Sequence, residues 1–317
     1  MSKMKIENSP KVRFAEVDEH RAGQRIDNFL LRELKGVPKT RIYRALRKGE
    51  IRVNKGRAKA SHRLQEGDLV RIPPLRANQQ RQETLLSAGL QQHLEGSIVF
   101  EDSGLMVINK PSGLAVHGGS GLNYGLIEAL RKIRPDNQFL ELVHRLDRAT
   151  SGCIMIAKKS SVLKDLHEKL RGVGIDKRYY ALVAGHWPKH CKRVDAPLAK
   201  NILVSGERIV KIDINGKSSV TEFALVQRFE DCTLIEARPI TGRTHQIRVH
   251  ALQVGYPILG DEKYGDKSIN QLYRKKGLKR LFLHAKSISL QYPEDKPLRV
   301  EAELDINLKQ FLTKIGK

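Results

Sequence analysis

This 317-residue chain lacks the features that would place it in a membrane, in an oxidising compartment or around a metal. No apolar run approaches the roughly 20 residues that a membrane-spanning helix needs, and mean hydropathy is −0.44. The start, Met1-Ser2-Lys3-Met4-Lys5-Ile6-Glu7-Asn8, lacks the apolar stretch of a secretory signal. Cysteines number three, Cys153, Cys191 and Cys232; they are far apart and form no C-x-x-C pair. A disulfide framework and a zinc knuckle are therefore not expected, and a reducing cytoplasm fits. The stretch His117-Gly118-Gly119-Ser120-Gly121 has no Lys-Ser/Thr after it, so it is not a Walker loop. No G-x-S-x-G occurs, which removes the nucleophile elbow of esterases. A flexible or backbone-contacting loop remains the reading for residues 117–121.

Acidic residues are also scarce. There are 35 Asp and Glu against 58 Lys and Arg, a net charge of +23. A polyanion is the partner this implies: nucleic acid first, an anionic membrane surface second.

Two domains are expected from the length. Residues 1–19 read as an N-terminal extension. Residues 20–75 read as a compact α+β unit, with Ile26, Phe29, Leu30 and Leu34 at helical spacing. A second helix is expected over residues 40–48, with Thr40 as its N-cap and Gly49 just past its end. Ile42, Ala45 and Leu46 form its inner stripe, and Arg41, Arg44 and Lys48 share the opposite face. Short strands follow, and Pro73-Pro74 closes the unit. Residues 11–75 hold 17 Lys and Arg against 8 acids, and bases also crowd the hairpin, which favours phosphate contact. Residues 76–96 are polar and Gln-rich, and read as a linker. Residues 97–317 form the larger unit. Strand-like runs dominate it, with helices expected over residues 122–131, 162–171 and 244–253. A mixed, mainly antiparallel α+β sheet is favoured over a doubly wound parallel one.

The run His144-Arg145-Leu146-Asp147-Arg148-Ala149-Thr150-Ser151-Gly152 carries the most chemical information. Asp147 stands between two arginines, and nearby positive charge favours a carboxylate's charged form. A turn and a buried strand follow it, which would hold it rigidly at the floor of a cleft. The same pattern also fits a surface ion pair at a strand entrance. Lys110, at the end of an apolar run and before Pro111, can sit at a cleft rim or simply in a loop. In Thr241-Gly242-Arg243-Thr244-His245-Gln246-Ile247-Arg248-Val249-His250, Gly242 makes a turn and Thr244 caps a helix. Arg248 then lies near the helix start, where it can pair with a carboxylate or phosphate. The spacing of His245 and His250 does not stack two imidazoles on one helix face, so no metal is expected. Tyr179 and Tyr180 begin a strand and point to opposite faces, so one can enter a cleft.

Arg25-Ile-Asp-Asn-Phe-Leu, the basic helix, Gly49-Glu-Ile-Arg-Val-Asn-Lys and Glu66-Gly-Asp-Leu-Val resemble the small RNA-binding domain of ribosomal protein S4. Asn109-Lys-Pro-Ser-Gly, His144 to Gly152, Lys177-Arg-Tyr-Tyr-Ala-Leu-Val and Gly242 to His250, in that order, resemble the RNA pseudouridine synthases of the large-ribosomal-subunit branch. The resemblance implies a catalytic domain with a central cleft that isomerises uridines in 23S ribosomal RNA by base flipping, with no metal or cofactor. It implies that Asp147 is the essential aspartate. Tyr179 would pack on the target base and help remove a proton, and Arg248 would pair with the aspartate. Arg145 would fill the stack the base leaves. Lys110, Arg243, His245, Arg41, Arg44 and Lys48 are expected at the RNA. The partner is large-subunit ribosomal RNA, free or in an assembly intermediate, and a monomer is expected.

Overall fold

The computed structural model describes residues 12–34, 36–75, 86–118, 124–172, 174–202 and 208–316. The chain divides into two units between residues 85 and 86. No helix among the described residues is long and apolar enough to cross a membrane.

The first unit holds strand β1 (Arg13–Glu16), helices α1 (Ile26–Glu33) and α2 (Lys39–Lys48), and strands β2 (Arg52–Val53), β3 (Gly56–Arg57) and β4 (Leu69–Ile72). The strands form one antiparallel sheet in the order β1-β4-β2-β3. Ile26, Phe29 and Leu30 of α1 and Ile42, Ala45 and Leu46 of α2 pack with Val53, Val70 and Ile72. Helix α2 starts at Lys39, one residue before the expected cap, because Pro38 sets the entry dihedral (φ −57°) and no side chain caps the end. Its other end is as expected: Gly49 is left-handed (φ 68°) and its N–H reaches Ala45 and Leu46 carbonyls. Asp27 is buried against the Arg25 guanidinium, and Tyr43 donates to it at 3.0 Å.

The second unit begins with helix α3 (Ala88–Glu95), capped by Ser87 and anchored by the buried Leu94. The expected linker over residues 76–96 is thus helical at its end, while residues 76–85 lie outside the described residues. Strands β5 (Ile98–Glu101), β6 (Leu105–Lys110), β7 (Glu141–Leu142), β8 (Ser151–Ala157), β9 (Ile175–Ala184), β10 (Arg193–Asp195), β13 (Val220–Arg228), β14 (Cys232–Pro239), β15 (Leu283–Gln291) and β16 (Pro297–Glu301) form one sheet. Strands β11 (Leu198–Ile202) and β12 (Arg208–Ile212) form a separate hairpin. Helices α4 (Leu126–Ile133), α5 (Ser160–Arg171), α6 (Gln246–Gln253), α7 (Lys267–Lys276) and α8 (Ile306–Ile315) complete the unit. The main path runs β10-β13-β14-β9-β15-β8-β6-β5, antiparallel except between β15 and β8. The mixed, mainly antiparallel α+β architecture is therefore as expected.

The parallel junction of β15 and β8 positions the site. It pairs only His284 with Ser151 and Ala285 with Gly152. Gly152 is obligatory there: its φ is +105°, and a Cβ would lie 2.2 Å from the Ala285 carbonyl oxygen. Beyond this point β15 leaves β8 and pairs with β16. Asp147 sits on the loop that enters β8 at the junction.

Candidate active site

Asp147 lies in a cleft of about 720 Å³ whose lining includes Arg145, Arg171, Lys177, Tyr179, Arg243, His245 and Arg248. Its loop is held from below. Lys110 is entirely buried, and its ammonium donates to the carbonyls of Pro111 (2.9 Å), Leu114 (2.9 Å) and Arg148 (3.3 Å). Ser112 Oγ donates to Ala149 O at 2.7 Å, and Gly113 N to Arg148 O at 2.8 Å. Three carbonyls match the three donors of an ammonium. Lys110 thus locks the Lys-Pro loop to the Asp147 loop and does not reach the cleft, which corrects its expected place at the RNA. Burial first, and then Arg280, push its pKa down to about 7.

Neither flanking arginine holds Asp147, whereas the pairing with Arg248 that the resemblance implied is present. Arg148 turns away and donates to Gly113 O at 2.8 Å. Arg145 is exposed at the cleft. The cation that holds Asp147 is Arg248, from 101 residues away, with Nη1 donating to Oδ2 at 3.0 Å. Arg248 is itself clamped by Asp261: Nε and Nη2 donate to the two carboxylate oxygens, each at 2.7 Å. Asp261 is almost wholly buried and also accepts from the backbone N–H of Lys263 and Tyr264. Burial alone would lower the Arg248 pKa, but the bonds to Asp261, and then Asp147, raise it. Such a bidentate clamp leaves the guanidinium no freedom to swing. One edge remains for Asp147, and Oδ1 of Asp147 makes no hydrogen bond among the described residues.

His245 supplies a second neighbour, with Nε2 3.6 Å from Asp147 Oδ2. Its Nδ1 is 2.7 Å from the hydroxyl of Tyr264, which accepts the N–H of Val210 at 2.9 Å. Among the described residues Nδ1 is the acceptor within reach of the Tyr264 proton. His245 then carries its own proton on Nε2, facing Asp147. Burial lowers the His245 pKa despite the carboxylate, and burial raises that of Tyr264, so both stay neutral at neutral pH. Tyr264 also stacks against Arg248, whose Cζ is 5.0 Å from the ring centroid.

Helix α6 presents these groups, and it begins at Gln246 rather than Thr244. His245 occupies the N-cap in a left-handed conformation (φ 56°) without a side-chain cap. Gln246 fixes the turn before the helix: its Oε1 accepts from Arg243 N and Thr241 Oγ1, while its Nε2 donates to Val220 O. His250 faces away from the cleft. Its Nδ1 bonds with Thr221 Oγ1 and its Nε2 with Ala196 O. Tyr179 faces the cleft, and Tyr180 stands on the other side of the sheet beneath Lys286. Burial, then the charge of Asp147, push the Tyr179 hydroxyl well above its ordinary range. His144 accepts from Met155 N at 3.2 Å, and burial lowers its pKa to about 3. Within the glycine-rich stretch, Gly118 N and Gly125 N both donate to Glu128; residues 119–123 lie outside the described residues.

Asp261 and Tyr264 escaped the reading of the sequence. The pattern Gly260-Asp261-Glu262-Lys263-Tyr264-Gly265 held the signal. Gly260 is left-handed (φ +75°), and a Cβ there would lie 2.1 Å from the Arg280 carbonyl oxygen. An acid fixed by so tight a turn is a candidate anchor.

Residues 104–253 match the RNA pseudouridylate synthase family and residues 24–70 match the S4 domain. The chain is 53% identical over 313 residues to the ribosomal large subunit pseudouridine synthase C of Yersinia pestis, covering 98% of both chains. It is 55% identical over 304 residues to that of Pasteurella multocida, covering 95% of this chain and 93% of the relative. The solved structure of human RNA pseudouridylate synthase domain containing 4 has a TM-score of 0.60 at 27% identity, over 72% of this chain and 96% of that one. Identity of this extent over nearly the whole length means that the chain belongs to the RNA pseudouridylate synthase family.

Proposed function

We propose that this enzyme isomerises specific uridines of large-subunit (23S) ribosomal RNA to pseudouridine, with Asp147 as the essential carboxylate. The observation that carries the reading is the fixed series Asp261, Arg248, Asp147 at the floor of a cleft faced by Tyr179. The cleft volume lies within the range of small-ligand sites, which suits one extruded nucleoside.

In this isomerisation the bond from uracil N1 to ribose C1′ breaks and a bond from C5 to C1′ forms. C5 loses a proton and N1 gains one, so nothing is oxidised and no group enters from outside. Oδ1 of Asp147 is the reactive oxygen; Arg248 holds Oδ2, and Nε2 of His245 faces Oδ2 at 3.6 Å. Attack on the sugar, attack on the ring and abstraction of a sugar proton all begin from that same oxygen. Tyr179 packs on the base as a neutral phenol, because burial opposes loss of its proton. Arg145, exposed at the rim, occupies the place that the base leaves in the RNA stack. The net charge of +23 draws the RNA.

Carbodiimide-dependent primer extension on 23S RNA tests this. A strain lacking the gene should lose specific stops, the wild type should restore them, and Asp147→Asn should not, although it still binds RNA. Stops that persist without the gene would move the substrate to transfer RNA. Rescue by Asp147→Asn would reduce the protein to a binding factor.

A further inference from the structure

Beside the Asp147 cleft lies a second cavity of about 460 Å³. Its walls are the β11–β12 hairpin, the segment 215–217 and the turn 242–244. The same turn lines the cleft that holds Asp147, so the two cavities share one wall, a single turn of backbone. The hairpin is fixed to the catalytic groups. Leu198 and Val210 are buried against Val249 of α6, with Tyr264 packed on them. Val210 N also donates to the hydroxyl of Tyr264, the residue that orients His245. The segment 215–217 is fixed as well, because Leu198 and Lys217 exchange two backbone hydrogen bonds, each 2.9 Å. Gly216 lies so close that a Cβ would come within 2.6 Å of the Leu198 carbonyl carbon. The cavity is thus already formed without a ligand, and its volume falls in the range of small-ligand sites.

The polar groups around this cavity have capacity to spare. Arg243 Nε donates to Ser218 O at 3.0 Å, which leaves both Nη groups without a partner among the described residues. Arg243 lines both cavities, so those groups stand on the ridge between them. Lys200 shares a hairpin face with Val210, its partner in the register. Asn215 and Lys217 are exposed at the mouth. Among the described residues no carboxylate pairs with Arg243, Lys200 or Lys217, and the side-chain amide of Asn215 makes no hydrogen bond. The floor beneath them, Leu198 and Val210, is apolar.

We infer that this second cavity receives the nucleobase next to the target uridine, with the intervening phosphate on Arg243 and the base edge read by Asn215 and Lys217. The inference rests on the RNA substrate proposed above and says how the enzyme tells one uridine from another. Consecutive nucleosides are joined by one phosphate, and here one arginine stands on the one wall between two cavities of nucleoside size. Free Nη groups of a guanidinium match the geometry of a phosphate. An amide offers a donor and an acceptor together, the pattern that pairs with a base edge, and an ammonium donates to base carbonyls and ring nitrogens. A free anion would need neither the amide nor the apolar floor. Only a base out of its stack can enter, which suits the neighbour of a flipped nucleotide.

The test uses synthetic RNAs around a uridine mapped by the primer-extension stops, with each neighbour of that uridine replaced in turn by an abasic nucleotide. The full-length wild type, Asn215→Ala/Lys217→Gln and Arg243→Gln are compared by kcat/KM. For the wild type, loss of one neighbouring base should cost about tenfold. The double variant should lose about tenfold on intact RNA and nothing more on that abasic RNA, because both changes break the same contact. Arg243→Gln should weaken binding to every RNA alike and reduce the slope of log affinity against log salt by about 1. Additive losses in the double variant would overturn the inference, as would a wild type indifferent to both neighbours. A general loss of structure in the double variant would lower activity on intact and abasic RNA alike, and so would read as additive. An unchanged salt slope in Arg243→Gln would remove the phosphate from the ridge and overturn the path between the cavities. Stops that map to transfer RNA would overturn the proposed 23S substrate alone, and the same comparison made on that RNA would still decide the cavity.

Discussion

At the scale of residues, the site is a chain of fixed orientations that ends on Asp147, whose Oδ1 makes no hydrogen bond among the described residues. Asp261 holds Arg248, Arg248 holds Asp147, and Tyr264 sets the tautomer of His245. Tyr264→Phe isolates the last link. It removes the proton directed to Nδ1 and leaves the Val210 N–H without an acceptor. His245 is then free to place its proton on Nδ1 and turn a bare nitrogen toward Asp147. We expect kcat to fall about tenfold, roughly 1.4 kcal/mol, with KM little changed. Ring nitrogen-15 shifts of His245 should move from the Nε2–H pattern toward a mixture. An unchanged nitrogen-15 pattern would refute the tautomer assignment even if activity fell. None of this was visible at H-R-L-D itself. The neighbouring arginines looked like the partners of Asp147, but one caps the Gly113 carbonyl and the other lines the rim. Sequence adjacency says nothing about which way a side chain leaves a turn.

At the scale of elements, the junction of β8 and β15 matters most. Two residue pairs join strands that are far apart in sequence and run parallel. Gly152→Ala would drive a Cβ into the Ala285 backbone and impose φ +105° on an L side chain. Overpacking and the strained dihedral together should cost about 3 kcal/mol. For a unit of this size that lowers the melting temperature by roughly 10 °C; a variant that melts like wild type would show that the junction yields. Most elements were legible beforehand because their patterns are local. The α2 stripe, the Gly49 stop, the apolar runs of β6 and β8, and the opposed tyrosines of β9 all appear where periodicity placed them. The start of α6 did not, because Gln246 fixes the turn before it by reaching across to β13, and no local pattern encodes that reach. Helix α3 was missed for a related reason: few of its residues are apolar, and one buried leucine anchors it.

At the scale of the whole molecule, burial has turned several histidines into neutral hydrogen-bonding groups. In the second unit His144, His245, His250 and His284 all have lowered pKa values, with burial as the first cause. An unfolded chain takes up these protons near pH 6.5, whereas the folded His144 does so only at about 3. Between those values the unfolded state binds more protons, so stability must fall as pH drops from about 6.5 toward 3. Asp27, whose pKa is lowered chiefly by its bond to Arg25, adds a loss in the same direction at lower pH. Thermal melts at pH 7 and pH 5 check this. The melting temperature should be lower at pH 5, and equal values would mean that the histidines titrate normally when folded. Composition and local pattern by themselves pointed to a polyanionic partner, the two-part organisation and the fold class, and singled out the stretch around Asp147. Charge sums, hydrophobic periods and turn residues survive without knowledge of long-range contacts. Tertiary structure alone decided that Lys110 works beneath the site and that neither arginine beside Asp147 in sequence holds it. It alone brought Asp261 behind Arg248 and Tyr264 beside His245. Each of these depends on strand register or loop packing between residues far apart in the chain, and a one-dimensional pattern does not record which distant groups share a hydrogen bond.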